Sequence, residues 1–212
     1  MPGSKSEIFQ DIFVALTLNG KRNGFFVEFG ATDGITGSNS WVFENNFGWE
    51  GLLAEPGHIW HERLASNRNC SIAHDCVWAE SGHVLEFQQS GDAGFSTLSD
   101  YVESDRHSSR RAEGKITYKV KTLALDELLK RQCVPQAIDY MSIDTEGSEY
   151  DILRTFPIEN WNISIITVEH NFRTERAAIN DMLQSKGFVR VLTGLSQFDD
   201  WYVNSNLVPR VA

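Results

Sequence analysis

The run Phe25-Phe26-Val27-Glu28-Phe29, closed by Gly30, limits the fold more than any other stretch of the chain. It is short and nearly continuous in apolar residues, and it follows the turn signal Asn23-Gly24. A strand that reads this way is buried on both faces, as strands are in a parallel sheet covered by helices. Gly30 and Gly34 then allow a tight strand-to-helix turn and close approach of a ligand to backbone N–H groups.

The segments that follow alternate as a parallel sheet requires. Apolar spacing predicts an opening helix over 6–18, and a helix over 38–47 that Ser38 or Asn39 can cap. A second buried strand covers 51–55, closed by Pro56-Gly57, followed by a helix over 58–66 and a third strand over 71–78. Residues 84–89 and 116–122 alternate with period two, as a hairpin-like excursion does. Between them, 90–114 is polar, and a loop of that length is functional or disordered. Residues 95–97, and on to Gly114, are a candidate lid. Helices over 125–131, 148–156 and 176–186 then alternate with strands over 138–143, 163–168, 188–193 and 201–203. No repeat or linker is visible. The expectation is one α/β domain over 25–212, preceded by a helical lead-in over 1–24.

Composition sets limits on partners. With 212 residues, 41% of them hydrophobic, the chain can bury one sizeable core. A formal charge of −10 argues against nucleic acid and anionic membranes, which need clustered cations. Arg106-His107 and Arg110-Arg111 are offset by Glu103, Asp105 and Glu113 and read as a solvated loop face. Cys70, Cys76 and Cys133 give no disulfide framework, and with His58 and His61 they match no tetrahedral zinc spacing. No apolar leader and no run of roughly 20 apolar residues is present, so a cytoplasmic location is expected.

In an open α/β sheet, ligands bind beyond the carboxyl ends of the strands. Polar residues collect there: residues 30–34 after the first strand, Glu55 after the second, Asp75 and Cys76 in the third, Asp144-Thr145-Glu146-Gly147 after the fourth, and Glu169-His170-Asn171 after the fifth. The glycine spacing is G-x-x-x-G and not the GxGxxG of a pyrophosphate binder, and Glu28 would repel a pyrophosphate. Such a loop suits a ligand with an amino group and a sulfonium, as in S-adenosylmethionine. Glu55, 25 residues beyond Gly30, can accept both hydroxyls of a ribose.

Several motifs resemble the FkbM-type methyltransferases, a branch of the Rossmann-like class I S-adenosylmethionine-dependent fold. They are Val27-Glu28-Phe29-Gly30-Ala31-Thr32-Asp33-Gly34, Thr36-Gly37-Ser38-Asn39-Ser40, Ala54-Glu55-Pro56, the block from Ile138 to Glu149, Val168-Glu169-His170-Asn171, and Phe198-Asp199-Asp200-Trp201-Tyr202-Val203. The resemblance implies a seven-stranded, mostly parallel sheet whose last strand is antiparallel, with helices on both faces. It also implies methyl transfer, usually to a hydroxyl oxygen and often on a sugar of a glycan, by a free enzyme or by one domain of a larger protein associated with glycosyltransferases.

By position, Glu28, Gly30, Asp33 and Gly34 are expected to hold the methionine and ribose side, and Glu55 with Pro56 the ribose hydroxyls. Asp75 or Cys76 would meet the adenine, and Ser38 and Asn39 the methionine carboxylate. On the acceptor side a sugar hydroxyl needs a base or a metal to lose its proton. His170 is the favoured base, with Asp144 and Glu169 or Asn171 as ligands of Mg2+. In a metal-free version, Asp144 or Glu146 orients the hydroxyl. Glu146 as a helix cap and His170 as a structural histidine are the plainer readings. Asp199-Asp200-Trp201-Tyr202 reads either as a turn into the last strand or as a sugar-gripping wall.

Two other functions compete. Asp144-Thr145-Glu146 mimics the acidic motif of metal-dependent glycosyltransferases, although no basic partner for a diphosphate accompanies it. A non-catalytic module that binds only cofactor or glycan is the other alternative.

Overall fold

The computed structural model describes residues 3–90, 94, 96–101 and 116–207. Its strands are β1 Phe25–Phe29, β2 Glu50–Ala54, β3 Ser71–Ala73, β4 Cys76–Trp78, β5 Val84–Gln89, β6 Thr97–Leu98, β7 Ile116–Ala124, β8 Ala137–Ile143, β9 Asn162–Glu169, β10 Phe188–Val191 and β11 Asp199–Asn204. The α-helices are α1 Gln10–Thr17, α2 Trp41–Phe47, α3 His61–Asn67, α4 Leu125–Arg131, α5 Glu149–Thr155 and α6 Arg176–Ser185.

Seven strands form the main sheet in the order β10-β11-β9-β8-β1-β2-β3. β3, β2, β1, β8 and β9 pair in parallel, and β11 is antiparallel to both neighbours. The strand order reverses beside β1, which places the switch point, and hence a ligand crevice, at the carboxyl ends of β1 and β8.

β1 is nearly all apolar because both of its faces are covered. Val27 and Phe29 point into a core shared with Leu128 of α4, Ile152 of α5 and Leu183 of α6. Phe26 points into the opposite core with Val14 of α1, Phe43 of α2 and Leu64 of α3. Glu28 shares the Phe26 face by the two-residue period, so its carboxylate emerges beneath the start of α2.

Two expectations change. The third strand is not continuous over 71–78: β3 ends at Ala73, and β4 starts at Cys76 in a second sheet, order β4-β7-β5-β6. The chain leaves one sheet for the other at His74-Asp75, a break that apolar periodicity does not register. The opening and second helices also start later than predicted, at Gln10 and Trp41, because the residues before them are used as side-chain ligands of Asp11 and Glu28. Most of the candidate lid over 95–114, including the Arg106 to Arg111 cluster, lies outside the described residues.

Candidate active site

A cleft of about 630 Å³ runs along the carboxyl ends of β1, β2, β8 and β9. Glu7 and Gln10 border it on one side, and Phe87 and Leu98 of the second sheet on another.

At one end the glycine loop is held by carboxylates. The Thr32 N–H donates to Glu55 Oε2 at 2.9 Å, and the Gly57 N–H to Oε1 at 2.6 Å. The N–H groups of Ile35 and Thr36 donate to Asp33 Oδ1 at 2.9 and 2.8 Å, and the Gly34 N–H to the Ala31 carbonyl at 2.8 Å. Gly30 has φ +76°, and a Cβ there would lie 1.8 Å from the Asp144 carbonyl oxygen, so only glycine lets the two strand ends approach. Burial raises the Glu55 carboxyl to about 7, against the lowering effect of its two backbone donors.

Glu28 is buried and saturated. It accepts from Ser38 Oγ (3.0 Å), from the Asn39 N–H (2.7 Å) and from Ser40 Oγ. Arg68, at the end of α3, ties this corner together. It donates to Glu44 (2.5 Å), the Gly34 carbonyl (3.0 Å), Ser38 Oγ (3.1 Å) and Ser40 Oγ (2.9 Å), and lies 3.9 Å from Glu28. Ser38 Oγ also accepts the Trp41 N–H at the start of α2. Asn39 donates to Ser142 Oγ at 3.0 Å, and its Oδ1, facing the cleft, has no partner. Pro56, Asp75 and Cys76 line the same half, with Asp75 paired to Arg131 and burial pushing the Cys76 thiol up to about 12.

At the other end, carboxylate oxygens of Asp144, Glu146 and Glu169 lie within 4.8 Å of one another. Burial first, and then the neighbouring acids, push the carboxyls of Asp144 and Glu169 well above the usual range. Glu146 and Asn171 take left-handed backbone, φ +58° and +42°, which non-glycine residues adopt at a cost of order 1–3 kcal/mol. Their surroundings hold them there. Thr97 Oγ1 of β6 donates to the Glu146 carbonyl at 2.9 Å, and the Asn171 N–H donates to the Phe198 carbonyl at 3.1 Å. The Asn171 amide lines the cleft, is 6% exposed, and has a hydrogen-bond partner on neither atom.

The FkbM methyltransferase domain matches residues 28–196, most of the chain and every strand end just described. The chain belongs to the FkbM methyltransferase family. This FkbM protein is an S-adenosylmethionine-dependent methyltransferase built on a seven-stranded, mostly parallel sheet. Among solved structures it is similar to precorrin-6y C5,15-methyltransferase from Geobacter metallireducens GS-15, at 9% identity and TM-score 0.48, over 91% of this chain and 84% of that one. It is also similar to the N-terminal domain of human METTL16, at 10% identity and TM-score 0.47, over 91% and 66%. Likenesses this distant carry no substrate across. No curated protein matches the chain by sequence.

Within this methyltransferase the expected residues gather in or directly behind the cleft, His170 excepted. Glu28, Gly30, Asp33, Ser38, Asn39, Glu55, Pro56, Asp75, Cys76, Asp144, Glu146, Glu169 and Asn171 all line the cleft. Gly34 sits just behind, where a Cβ would meet Arg68 and Leu64 at 2.6–2.7 Å. His170 is the exception. Its ring lines a separate small recess with Glu149, Arg173 and Arg176, accepts the Phe172 N–H on Nδ1 at 2.9 Å, and holds Nε2 3.9 Å from Asp200. Burial lowers its pKa. The left-handed turn at Asn171 and Phe172 sends adjacent side chains to different cavities.

The helix cap read for Glu146 is not formed: the N-cap of α5 is Ser148, without a side-chain cap bond, and Glu149 Oε1 instead accepts the N–H groups of Thr145 and Gly147 in the preceding loop at 3.0 and 2.8 Å. Asp199 to Val203 belong to a buried strand. Trp201 stacks on Phe13 at 4.7 Å, Gln10 donates to Asp199 at 2.7 Å, and Arg176 grips Asp200 through two 2.8 Å bonds. Arg68 and Gln10 carry no local motif, and Glu149, though part of the Ile138 to Glu149 block, draws no role from the sequence. Their partners lie up to 189 residues away, which spacing does not reveal. Among the described residues, no helix is long and apolar enough to cross a membrane.

Proposed function

We propose that this methyltransferase acts on a hydroxyl oxygen of a sugar in a glycan or glycoconjugate. One observation carries the reading: a carboxylate cluster and an unpartnered amide, Asn171, stand in the same cleft as a glycine loop held by carboxylates. The cofactor, when bound, supplies an electrophilic methyl on a sulfonium. Glu55 is placed at the end of β2 to accept a ribose diol. Glu28, Ser38 and Asn39 form the wall on the methionine side, and Asn39 Oδ1 offers an unused acceptor there. Acidic walls favour a cationic donor over its neutral product, which helps the product leave.

At the acceptor end the Asn171 amide can both donate to and accept from a hydroxyl. Asp144 or Glu169 can take the hydroxyl proton, because burial and the neighbouring acids raise both carboxyls and so make the deprotonated form a stronger base. This assignment moves the base from His170, whose ring faces the other recess. The same oxygen donors, with Asn171, fit a hard divalent cation such as Mg2+, which would lower the pKa of a bound hydroxyl.

The glycosyltransferase alternative is disfavoured by the balance of charge in the cleft wall, where Arg63 is the one cation among the described residues and Arg68, Arg131 and Arg176 are each paired with a carboxylate.

Transfer of labelled methyl from S-adenosylmethionine tests the reading. Asp144→Asn and Glu169→Gln are expected to lower turnover about 10²–10⁴-fold with S-adenosylhomocysteine affinity nearly unchanged, and His170→Ala to cost less than about tenfold. The product should be a methyl ether by nuclear magnetic resonance. A methyl on carbon or nitrogen, or a His170→Ala loss as large as that of Asp144→Asn, contradicts the corresponding assignment. Loss of activity in EDTA, restored by Mg2+, decides for the metal.

A further inference from the structure

The wall of the cleft carries eight carboxylate side chains and, among the described residues, one cationic side chain, Arg63. That guanidinium belongs to α3 and lies over the Trp60 ring at 5.9 Å. The other arginines close to the cleft are committed. Arg68 is enclosed by Glu44 and Glu28, Arg173 lies 3.6 Å from Glu149, and Arg176 and Arg190 both hold Asp200. None can turn to meet an anion without abandoning a buried carboxylate, which costs several kcal/mol.

Most backbone donors of the glycine loop are spent as well. Thr32, Gly34, Ile35 and Thr36 direct their N–H groups at Glu55, Ala31 and Asp33, so little of an outward N–H cradle for a phosphate is left. A second, independent feature states what the acceptor end accepts in place of an anion. The Asn171 amide, 94% buried by its 6% exposure, offers one acceptor and two donor positions, none of them used. An amide paired with carboxylates matches groups that can donate a hydrogen bond and carry no negative charge.

We infer that the acceptor of this enzyme is a neutral or amine-bearing polyol, and that the cleft excludes phosphorylated and uronate-bearing acceptors. The inference deepens the sugar-hydroxyl reading and rests on it. A phosphate or carboxylate brought against Asp144 and Glu169 would meet a wall of acids in which, among the described residues, Arg63 is the one cation. A bound divalent cation would offset part of this charge without reversing it. A hydroxyl donates to the carboxylates and accepts from Asn171, and an ammonium group gains attraction as well.

The experiment uses the full chain loaded with S-adenosylhomocysteine, its loading verified first by calorimetry. An immobilised panel of oligosaccharides graded by charge is then tested for retention: neutral, glucosamine-containing, uronate-containing and phosphorylated. Labelled methyl transfer from S-adenosylmethionine onto the same panel is the second readout. Neutral and amino members are expected to exceed their anionic counterparts by about tenfold or more in both. Preferential retention or methylation of uronate or phosphorylated members overturns the inference, and so does a panel with no neutral or amino binder. Failure to load S-adenosylhomocysteine is a different result and strikes the cofactor reading itself.

Discussion

The two ends of the cleft are built from the same residue type and handle it in opposite ways. At the glycine-loop end each carboxylate has a donor within the protein: Glu55 has Thr32 and Gly57, Asp33 has Ile35 and Thr36, and Glu28 has Ser38, Asn39 and Ser40. At the other end Asp144, Glu146 and Glu169 face one another, and the nearby amide of Asn171 faces nothing. The first end is rigid before any ligand arrives. The second crowds acids together and leaves the Asn171 amide without a partner until a ligand meets it, a cost of the kind that active sites retain for function.

The largest effect that separates the ends is expected from Arg68→Leu. Removing the guanidinium leaves Glu28 and Glu44 as buried charges without their partner, a loss of about 3–5 kcal/mol, readable by urea denaturation. Asp144→Asn should leave stability unchanged or raise it, because it relieves repulsion. Equal destabilisation by the two variants would erase the distinction.

A smaller effect lies in pH. Burial raises Glu55 from 4.5 to about 7 and Asp199 from 3.8 to about 7 in the folded chain. The folded state therefore holds these protons more tightly than the unfolded state. The stabilisation is fully present below the unfolded values and is lost as pH rises through the window to about 7. Relative to Glu55→Gln, the ligand-free wild type should lose stability between about pH 4.5 and 7 and level off above. Parallel melting profiles for the two proteins would show that the Glu55 carboxyl is not raised.

Much of this was legible in the sequence because strand ends collect ligand-binding groups wherever the fold places them. β1 was bounded correctly since its two buried faces leave a continuous apolar run ended by a glycine. The cofactor-side acids followed from their distance after each strand. What was not legible depends on contacts across the chain. Arg68 looks like any loop arginine until Glu28 and Glu44 are brought to it. The break at His74-Asp75 is a change of sheet that leaves no mark in periodicity. His170 and Asn171 are neighbours in one motif, and a single left-handed turn sends one ring into a side recess and the other amide into the cleft.

The most direct measurement of the central claim is calorimetric titration of the purified chain with S-adenosylhomocysteine, UDP- and GDP-sugars, and NAD. A cleft that meets its ligand through Glu55 and Glu28, with most of its loop N–H groups already spent, predicts saturable binding of S-adenosylhomocysteine alone, weakened by Glu55→Ala. Saturable binding of a nucleotide sugar or NAD with no S-adenosylhomocysteine signal would contradict it.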